Sequence, residues 1–145
     1  MEIVLEIADL SRGGAGLGRD SSGRVIFVPF TAPGDLVRVE LISEEKRYAQ
    51  ARLIEILRPA KERVDARCPV FGRCGGCEWQ HLPYPMQWNT KKSGVLHALE
   101  RVGLTQAKEL PWDEIPAEQT WEYRNRIQLR GMGTKLGFYA RGSKQ

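Results

Sequence analysis

Three cysteines carry the most distinctive chemistry in this sequence. Cys68, Cys74 and Cys77 lie within a single short stretch, and they are the 3 cysteines of the chain. An odd number of thiols is a poor basis for a disulfide framework, whereas clustered thiols in a reducing compartment are typical of metal-binding or catalytic chemistry. The spacing Cys-x5-Cys-x2-Cys therefore predicts that these side chains are ligands of one metal centre.

The spacing leaves the identity of that centre open. A tetrahedral zinc ion or a cubane iron–sulfur cluster normally takes four ligands, and the cysteines supply three. His81 is the candidate for a fourth, so a Cys-x5-Cys-x2-Cys-x3-His zinc site is an alternative. Gly75 and Gly76 permit unusual backbone angles and leave amide N–H groups free to point at sulfur. A redox pair of Cys74 and Cys77 is less favoured, because no strand–helix context surrounds it.

The segment before the cysteines has the composition of short β-strands. Its apolar runs are rich in Val and Ile and are separated by turn residues. The predicted strands are 3–7, 24–28, 36–42 and 49–57. Residues 12–19 are too rich in glycine for a strand interior and are predicted to form a loop, and residues 20–23 a hairpin turn. Four or five short strands favour a small closed barrel, because closure removes exposed strand edges.

The rest of the sequence predicts an irregular stretch, a helix and a hairpin. Proline and glycine interrupt residues 58–83, and a loop of that length is usually functional or held by something it binds. Pro85 at a first helical position and Gly103 at a C-terminal cap predict a helix over 85–102. Its predicted apolar face consists of Trp88, Val95, Leu99 and Val102. The predicted hairpin has strands at 123–129 and 136–140, joined across 131–134.

Three parts of the sequence resemble one known family, the RNA uracil-C5 methyltransferases. The cysteine segment is similar to the family's iron–sulfur loop in the string Cys68-x5-Cys74-Gly75-Gly76-Cys77-x2-Gln80-His81. Segments 13–18, 25–29 and 33–35 resemble the signature of the family's N-terminal TRAM barrel. Tyr123-Arg124-Asn125-Arg126 resembles the opening of the strand that follows the family's helix. The order and spacing of these parts agree over nearly the whole chain.

The resemblance implies a fold class that is mainly β with one helix. Residues 1–58 are expected to form an OB-like TRAM β-barrel, and residues 59–83 a cysteine-rich metal-cluster loop. Residues 84–145 are expected to form the helix and the start of a partial central α+β domain. On this interpretation the catalytic domain of the family is not represented in the chain.

The resemblance also implies a [4Fe–4S] cluster with Cys68, Cys74 and Cys77 as three of its ligands. The family's fourth cysteine follows a segment resembling Leu136–Arg141, and the chain does not contain it. We favour truncation of the chain as the reason. The alternatives are that His81 or a solvent thiol completes the site, or that the cluster is lost.

The methyl donor of the family, S-adenosylmethionine, binds to a Rossmann-like domain. That domain also carries the cysteine that attacks C6 of the uracil and the base that removes the C5 proton. The glycine-rich segment 13–18 lacks Gly-x-Gly-x-x-Gly spacing and precedes a predicted strand rather than a helix. We therefore predict no catalytic and no cofactor-binding residue in this chain, and we expect that the chain alone does not methylate RNA.

The charge distribution favours a nucleic-acid partner. The chain has 22 Lys plus Arg against 18 Asp plus Glu, and residues 124–145 contain no acidic residue at all. A basic segment of this kind attracts phosphate. The predicted RNA-binding residues are Arg19, Lys46, Arg47, Arg124, Asn125 and Arg126, with Arg12 and Tyr48 as further candidates on the barrel. Two alternatives remain: Glu44 and Glu45 could neutralise the neighbouring cations, and Trp79 could either stack on a base or shield the metal centre.

Composition excludes several other classes of protein. No apolar run approaches the roughly 18 residues of a membrane helix, and the acidic N-terminal segment is unlike a signal peptide. We therefore predict a cytoplasmic monomer without a membrane partner. The predicted function is that of the RNA-binding N-terminal portion of an S-adenosylmethionine-dependent RNA uracil-C5 methyltransferase, with ribosomal RNA favoured over transfer RNA. The alternative is a stand-alone RNA-binding or zinc-binding adaptor module.

Overall fold

A five-stranded closed barrel forms the first part of the protein. The computed structural model describes residues 1–104, 106–111 and 113–143. The barrel strands are β1 (Glu2–Leu10), β2 (Gly16–Arg19), β3 (Val25–Val28), β4 (Leu36–Glu44) and β5 (Tyr48–Arg58). They close in the order β1-β2-β3-β5-β4, with antiparallel neighbours except for the parallel pair of β3 and β5. The predicted barrel is confirmed.

Side chains at alternate positions along the strands fill the barrel interior. Side chains at every second position of β3, β4 and β5 point inward and are removed from water. The fully enclosed members of this core are Ile26, Val28, Val37, Val39 and Ala49. Burying a side chain of this size stabilises the fold by about 1.5–3 kcal/mol relative to exposing it, so this small cluster supplies much of the driving force for closure.

The second strand corrects the prediction of a loop over residues 12–19. Gly16–Arg19 is a strand, paired with β1 on one side and β3 on the other. Gly16 and Gly18 point into the barrel, where an added Cβ would overlap Thr31 and Leu5 respectively. The prediction was wrong because it treated glycine as a strand breaker, whereas the crowded barrel interior requires residues without side chains at these two positions.

The hairpin turn over residues 20–23 is confirmed. Asp20 Oδ1 accepts hydrogen bonds from the backbone N–H groups of Ser22 and Arg24, at 2.9 and 3.1 Å. Gly23 has φ +82°, a left-handed conformation that glycine adopts without steric cost. These contacts turn the chain from β2 into β3.

A second apolar cluster attaches the following segments to the barrel. Leu10, Ala32, Ala60 and Leu82 are buried together, with Trp79 and Met86 packed against them. Beside this cluster the buried carboxylate of Asp35 accepts hydrogen bonds from Ala32 N and Ala60 N, both at 2.7 Å. The end of the barrel and the start of the cysteine segment are therefore one packed unit.

The helix α1 spans Tyr84–Arg101, within one residue of the predicted bounds. Pro85 lies in its first turn, and Gly103 follows its end with φ +98°. None of its residues is buried, and Val95 and Val102 on the predicted apolar face are 48% and 81% exposed. The predicted helix is correct, but its apolar face is only partly packed, since Trp88 and Leu99 are half-buried.

The C-terminal hairpin is shorter than predicted. Its strands are β6 (Arg130–Met132) and β7 (Lys135–Gly137), joined by the two-residue turn Gly133–Thr134. The predicted strand over 123–129 is wrong: in the part of the chain that the structure describes, this segment has no partner strand with which to form a ladder. Arg124, Asn125 and Arg126 therefore do not lie on a strand face. One turn of 3-10 helix at Ala107–Glu109 precedes this region, and no described helix could span a membrane.

Candidate functional site

An aromatic and basic surface covers the outside of β2, β3 and β5. The strand pairing aligns Arg19 with Val25, and Val25 with Tyr48, in one row across the sheet. The next row aligns Phe27 with Gln50. Since the alternate residues of these strands are buried in the barrel, the side chains of both rows face outward. We call this surface the aromatic face.

Two aromatic rings form the centre of the aromatic face. Phe27 and Tyr48 meet edge to face, with ring centroids 5.9 Å apart and planes at 88°. Tyr48 is 42% exposed although it belongs to a regular strand. Phe27 was missed by sequence reasoning, and its signal was available: it is the large aromatic residue on the outward register of a strand whose neighbours Ile26 and Val28 are buried.

The basic residues predicted on the barrel remain available beside these rings. Arg19 is exposed, and its Nη1 donates a hydrogen bond to Gly23 O at 2.7 Å. Lys46 and Arg47, directly before Tyr48, are exposed and have no ion-pair partner among the described residues. The structure thus places three predicted RNA-binding residues around one surface.

Neither neighbouring acidic residue, Glu44 or Glu45, forms an ion pair with Lys46 or Arg47 among the described residues. Glu44 is paired instead with Arg24, at 2.8 Å, and Arg24 also binds Asp20 at 3.0 Å. Hydrogen bonds from Ser22 and Arg24 lower the pKa of Asp20 to about 2, so this carboxylate stays ionised at the turn. Glu44 is therefore engaged by Arg24, whereas Glu45 is exposed directly before Lys46. Neutralisation of the two cations by these carboxylates stays a prediction.

Another part of the barrel surface has paired charges. Across β4 and β5, Arg38 meets Glu55 at 3.0 Å, and Arg52 meets Glu40 at 2.5 Å. Arg58 lies 3.8 Å from Glu6 on β1. Each of these cations has a carboxylate partner, so this side attracts phosphate less than the aromatic face does.

The remaining predicted RNA contacts lie elsewhere. Arg124, Asn125 and Arg126 are exposed in an irregular segment. Three residues before Arg124 along the chain, the ring of Trp121 lies 4.7 Å from the guanidinium of Arg67. Arg12 lies against α1 and lines a groove of about 660 Å³ between the barrel and the helix. Arg12 is therefore positioned by the helix rather than by the aromatic face.

The three cysteines lie in a turn-rich loop and are all free thiols. Cys77 is exposed, whereas Cys68 and Cys74 are partly buried. Cys68 N donates to Gln80 Oε1 at 3.1 Å, and Gly76 N donates to Cys74 Sγ at 3.4 Å. No three of the described Cys, His, Asp and Glu side chains are arranged to hold a single metal ion. The shared metal centre therefore stays a prediction.

His81 is buried against the barrel. Its side chain is 2% exposed, and its Nε2 lies 3.1 Å from the carbonyl oxygen of Thr31. A carbonyl accepts, so Nε2 carries the proton and Nδ1 is a buried lone pair without a partner. Burial lowers the pKa of His81, which keeps the ring neutral. The ring is enclosed between Phe30 and Phe71 and bonded to the barrel. The structure therefore gives His81 a packing role, and the zinc alternative built on it stays a prediction.

Trp79 packs on the barrel, and its two predicted roles, stacking on a base and shielding a metal centre, stay predictions. An added Cβ at Gly14, which has φ +85°, would overlap the indole of Trp79. Lys91 of α1 lies 5.6 Å from the ring centroid. Of the other tryptophans, Trp88 is partly buried and donates from Nε1 to Glu114 Oε2 at 3.0 Å, whereas Trp112 lies outside the described residues.

A distant segment pairs with the cysteine loop, which sequence reasoning did not predict. Cys74 and Ala140 form an isolated antiparallel bridge. Gly75 N donates to Tyr139 O, and Arg141 N donates to Arg73 O, both at 2.9 Å. The segment over 139–141 therefore lies directly against the turn between the second and third cysteines. The contact spans more than sixty residues and has no local sequence signal.

Comparisons with known proteins agree with this architecture. Residues 3–61 match the family described as tRNA (uracil(54)-C(5))-methyltransferase, TRAM domain. An uncharacterized RNA methyltransferase of Aquifex aeolicus is 38% identical over 138 residues, covering 94% of this chain and 32% of the relative. The 23S rRNA (uracil(1939)-C(5))-methyltransferase RlmD of Shewanella sediminis is 34% identical over 152 residues, covering 99% and 33%.

A solved structure shares both barrel and following segments. The crystal structure of Pyrococcus abyssi tRNA (uracil-54, C5)-methyltransferase in complex with S-adenosyl-L-homocysteine matches with a TM-score of 0.61 and 28% identity. The match covers 92% of this chain and 28% of that chain. The barrel is thus a TRAM domain. The chain that carries it is similar to RNA methyltransferases over nearly its whole length, and it spans about a third of the length of the curated relatives that it matches.

Proposed function

We propose that this chain is the RNA-binding portion of an S-adenosylmethionine-dependent RNA uracil-C5 methyltransferase. Two relatives have names that state uracil-C5 methylation, one acting on 23S rRNA and one on tRNA. The observation that carries the RNA-binding role is the aromatic face, where Phe27 and Tyr48 are flanked by Arg19, Lys46 and Arg47. Tyr48 is exposed and Phe27 half-buried. Aromatic rings at the surface beside cations without ion-pair partners are typical of surfaces that bind single-stranded RNA.

The aromatic face suits the requirements of base methylation in a folded RNA. A base must leave its stack before an enzyme can reach its C5 and C6 atoms. The rings of Tyr48 and Phe27 offer apolar surfaces on which an unstacked base can lie, whatever its identity. The guanidinium of Arg19 and the cations of Lys46 and Arg47 can contact the phosphates that flank it. On this proposal the barrel holds the strand near the target, and the specificity for one uracil comes from other contacts.

The test is binding of a labelled single-stranded RNA by the chain and by three variants. Stacking on an aromatic ring contributes about 1–3 kcal/mol per base, so Tyr48→Ala should weaken binding about tenfold. Lys46→Gln with Arg47→Gln removes two phosphate contacts and should lower the slope of log K against log salt by about 1.5.

Arg38→Gln is the matched control, because Arg38 is equally basic but paired with Glu55 on another part of the barrel surface. Its affinity and salt slope should equal those of the parent chain. Equal losses for Arg38→Gln and the double variant would show a diffuse charge effect and would refute the assignment to the aromatic face.

We also propose that the cysteine loop holds a [4Fe–4S] cluster through Cys68, Cys74 and Cys77. In a cubane each thiolate binds a different iron, so the three sulfurs need not converge on one ion. The Gly76 N–H group already points at Cys74 Sγ, as hydrogen bonds to cluster sulfurs do. Because methylation itself requires no redox step, the role of the cluster would be structural: it would cross-link the long loop.

Metal analysis tests this part of the proposal. Protein purified without oxygen should contain iron with a matching amount of acid-labile sulfide, and Cys74→Ser should lose both. Zinc near one per chain without sulfide would refute the cluster.

The finer points of the proposal concern substrate and setting. We propose a ribosomal RNA substrate, a monomeric state and a cytoplasmic location, and we expect no methyl transfer by the 145-residue chain alone. Competition between a ribosomal RNA stem-loop and a transfer RNA for the chain distinguishes the two substrate classes. Preferential displacement by transfer RNA would reverse the choice.

A further inference from the structure

Phe30 occupies a strained position at the end of the barrel. Its φ is +66°, a left-handed conformation that is uncommon outside glycine and unfavourable for a bulky side chain. Strain of this kind persists only where surrounding contacts over-determine it. The carbonyl oxygen of Phe30 accepts a hydrogen bond from Arg63 Nη2 at 3.1 Å, which holds the residue from the barrel side.

The ring of Phe30 is a meeting point for three segments. Phe71, between the first two cysteines, meets it edge to face with centroids 5.2 Å apart. His81, after the last cysteine, lies 6.5 Å away. The guanidinium of Arg141 lies 4.5 Å from the ring centroid. One side chain of the barrel therefore contacts the cysteine loop at two points, Phe71 and His81, and also the distant segment that pairs with it.

Arg141 extends this contact to the cysteine loop itself. Its Nη1 donates to Glu78 Oε1 at 2.8 Å, and Glu78 directly follows Cys77. Its backbone N–H donates to Arg73 O, directly before Cys74. Arg141 thus binds the loop on both sides of the Cys74–Cys77 turn while its guanidinium rests on the barrel.

The turn between these two cysteines is shaped to receive the distant segment. An added Cβ at Gly75 would lie 3.0 Å from Tyr139 O, and one at Gly76 would lie 3.7 Å from the Phe138 ring. Gly75 is therefore needed for close approach of two backbones, which is a different reason from the backbone freedom inferred from sequence. The glycine pair and the segment over 138–141 fit each other.

We propose that Phe30 and Arg141 are positioning residues that set the geometry of the Cys74–Cys77 turn from the barrel. Phe30 is held in place by the barrel, and Arg141 packs on its ring. Arg141 also binds Glu78 and Arg73, on the two sides of the turn. The turn is held in this shape before any metal binds, and the shape depends on the contact between barrel and distant segment. The proposal concerns the metal-free chain and does not depend on which centre the loop holds.

Thiol labelling of the full chain, kept reduced and metal-free with a chelator, tests the proposal. Trypsin cleaves after Arg67, Arg73 and Lys91, so Cys68 is recovered in one peptide and Cys74 together with Cys77 in the next. Fragmentation of the second peptide in the mass spectrometer assigns the label to Cys74 or to Cys77. Arg141→Met should raise the alkylation rate of Cys74 about fivefold and speed exchange of the Gly75 amide hydrogen. The rate of Cys68 should not change, because its amide is held separately by Gln80.

Two further variants keep the test decisive. Arg38→Met breaks a comparable exposed pair, Arg38 with Glu55, and should leave every cysteine rate unchanged. Phe30→Asn removes the ring but keeps a residue type that tolerates the left-handed conformation, and it should reproduce the effect of Arg141→Met. Unchanged Cys74 labelling in Arg141→Met would overturn the proposal. An equal rise at Cys68 and Cys74 would also overturn it, because that pattern indicates general unfolding.

Discussion

Replacing Asp35 with alanine should remove the central hydrogen-bond acceptor at the end of the barrel. The carboxylate is fully enclosed and accepts from Ala32 N, from Ala60 N and from Arg63 Nη1, at 2.7, 2.7 and 2.6 Å. Each buried donor left without a partner costs about 1–3 kcal/mol. Arg63 loses its carboxylate as well, but its side chain is 18% exposed and can turn towards water.

The two backbone N–H groups cost about 1.5 kcal/mol each when they lose their acceptor, and Arg63 costs about 1 kcal/mol. Asp35→Ala should therefore lower the free energy of unfolding by about 4 kcal/mol. That is a large share of the roughly 5–15 kcal/mol by which domains are stable. The measurement is urea unfolding followed by tryptophan fluorescence, since Trp79 packs against the adjacent apolar cluster.

Two variants show whether the reasoning is sound. Asp35→Asn keeps one acceptor oxygen and should fall between alanine and the parent chain. Glu55→Ala removes an exposed partner of Arg38 and should cost less than about 1 kcal/mol. A loss below 1 kcal/mol for Asp35→Ala would refute the account, because it would mean that water or other groups satisfy these donors.

Three other changes follow from the same structure. Gly14→Ala and Gly23→Ala both place alanine at a positive φ, +85° and +82°, but only the new side chain at position 14 overlaps Trp79. Thermal unfolding should therefore show a loss of stability that is larger for Gly14→Ala by about 2 kcal/mol. Equal losses would contradict the packing of Trp79. Leu82→Ala leaves a cavity in the second apolar cluster and should cost about 2–5 kcal/mol in denaturant titration. His81 has its pKa lowered in the folded state from 6.5, so its contribution to stability is complete above that value and declines as pH falls below it. Unfolding at pH 5 and pH 7 should show this decline in the parent chain and not in His81→Gln.

The barrel could be predicted because its information is local. Alternating Val and Ile residues in β3, β4 and β5 mark one buried and one exposed face, and the turn at 20–23 carries its own hydrogen-bonding side chain in Asp20. The exception was β2. Its glycines argued against a strand, but the crowded barrel interior has no room for a side chain at Gly16 or Gly18.

The candidate sites were predicted less completely because their contacts are distant in sequence. Arg19 and Tyr48 meet on one face only through the pairing of three strands. The bridge between Cys74 and Ala140 joins segments that share no local pattern. His81 was a plausible ligand by spacing, and only its burial against Thr31 shows that it serves the packing of the loop.

The parallel pairing of β3 and β5 has a consequence for folding kinetics. β4 lies between these strands in sequence, so their pairing needs closure of a loop, whereas β4 and β5 can form as a local hairpin. The row from Arg19 through Val25 to Tyr48 crosses the pairing of β3 with β5, so it exists only after the barrel has closed. On the proposed function, RNA bound to this row would stabilise the closed barrel by mass action. It would slow the separation of β3 from β5 rather than the fraying of the β4–β5 hairpin.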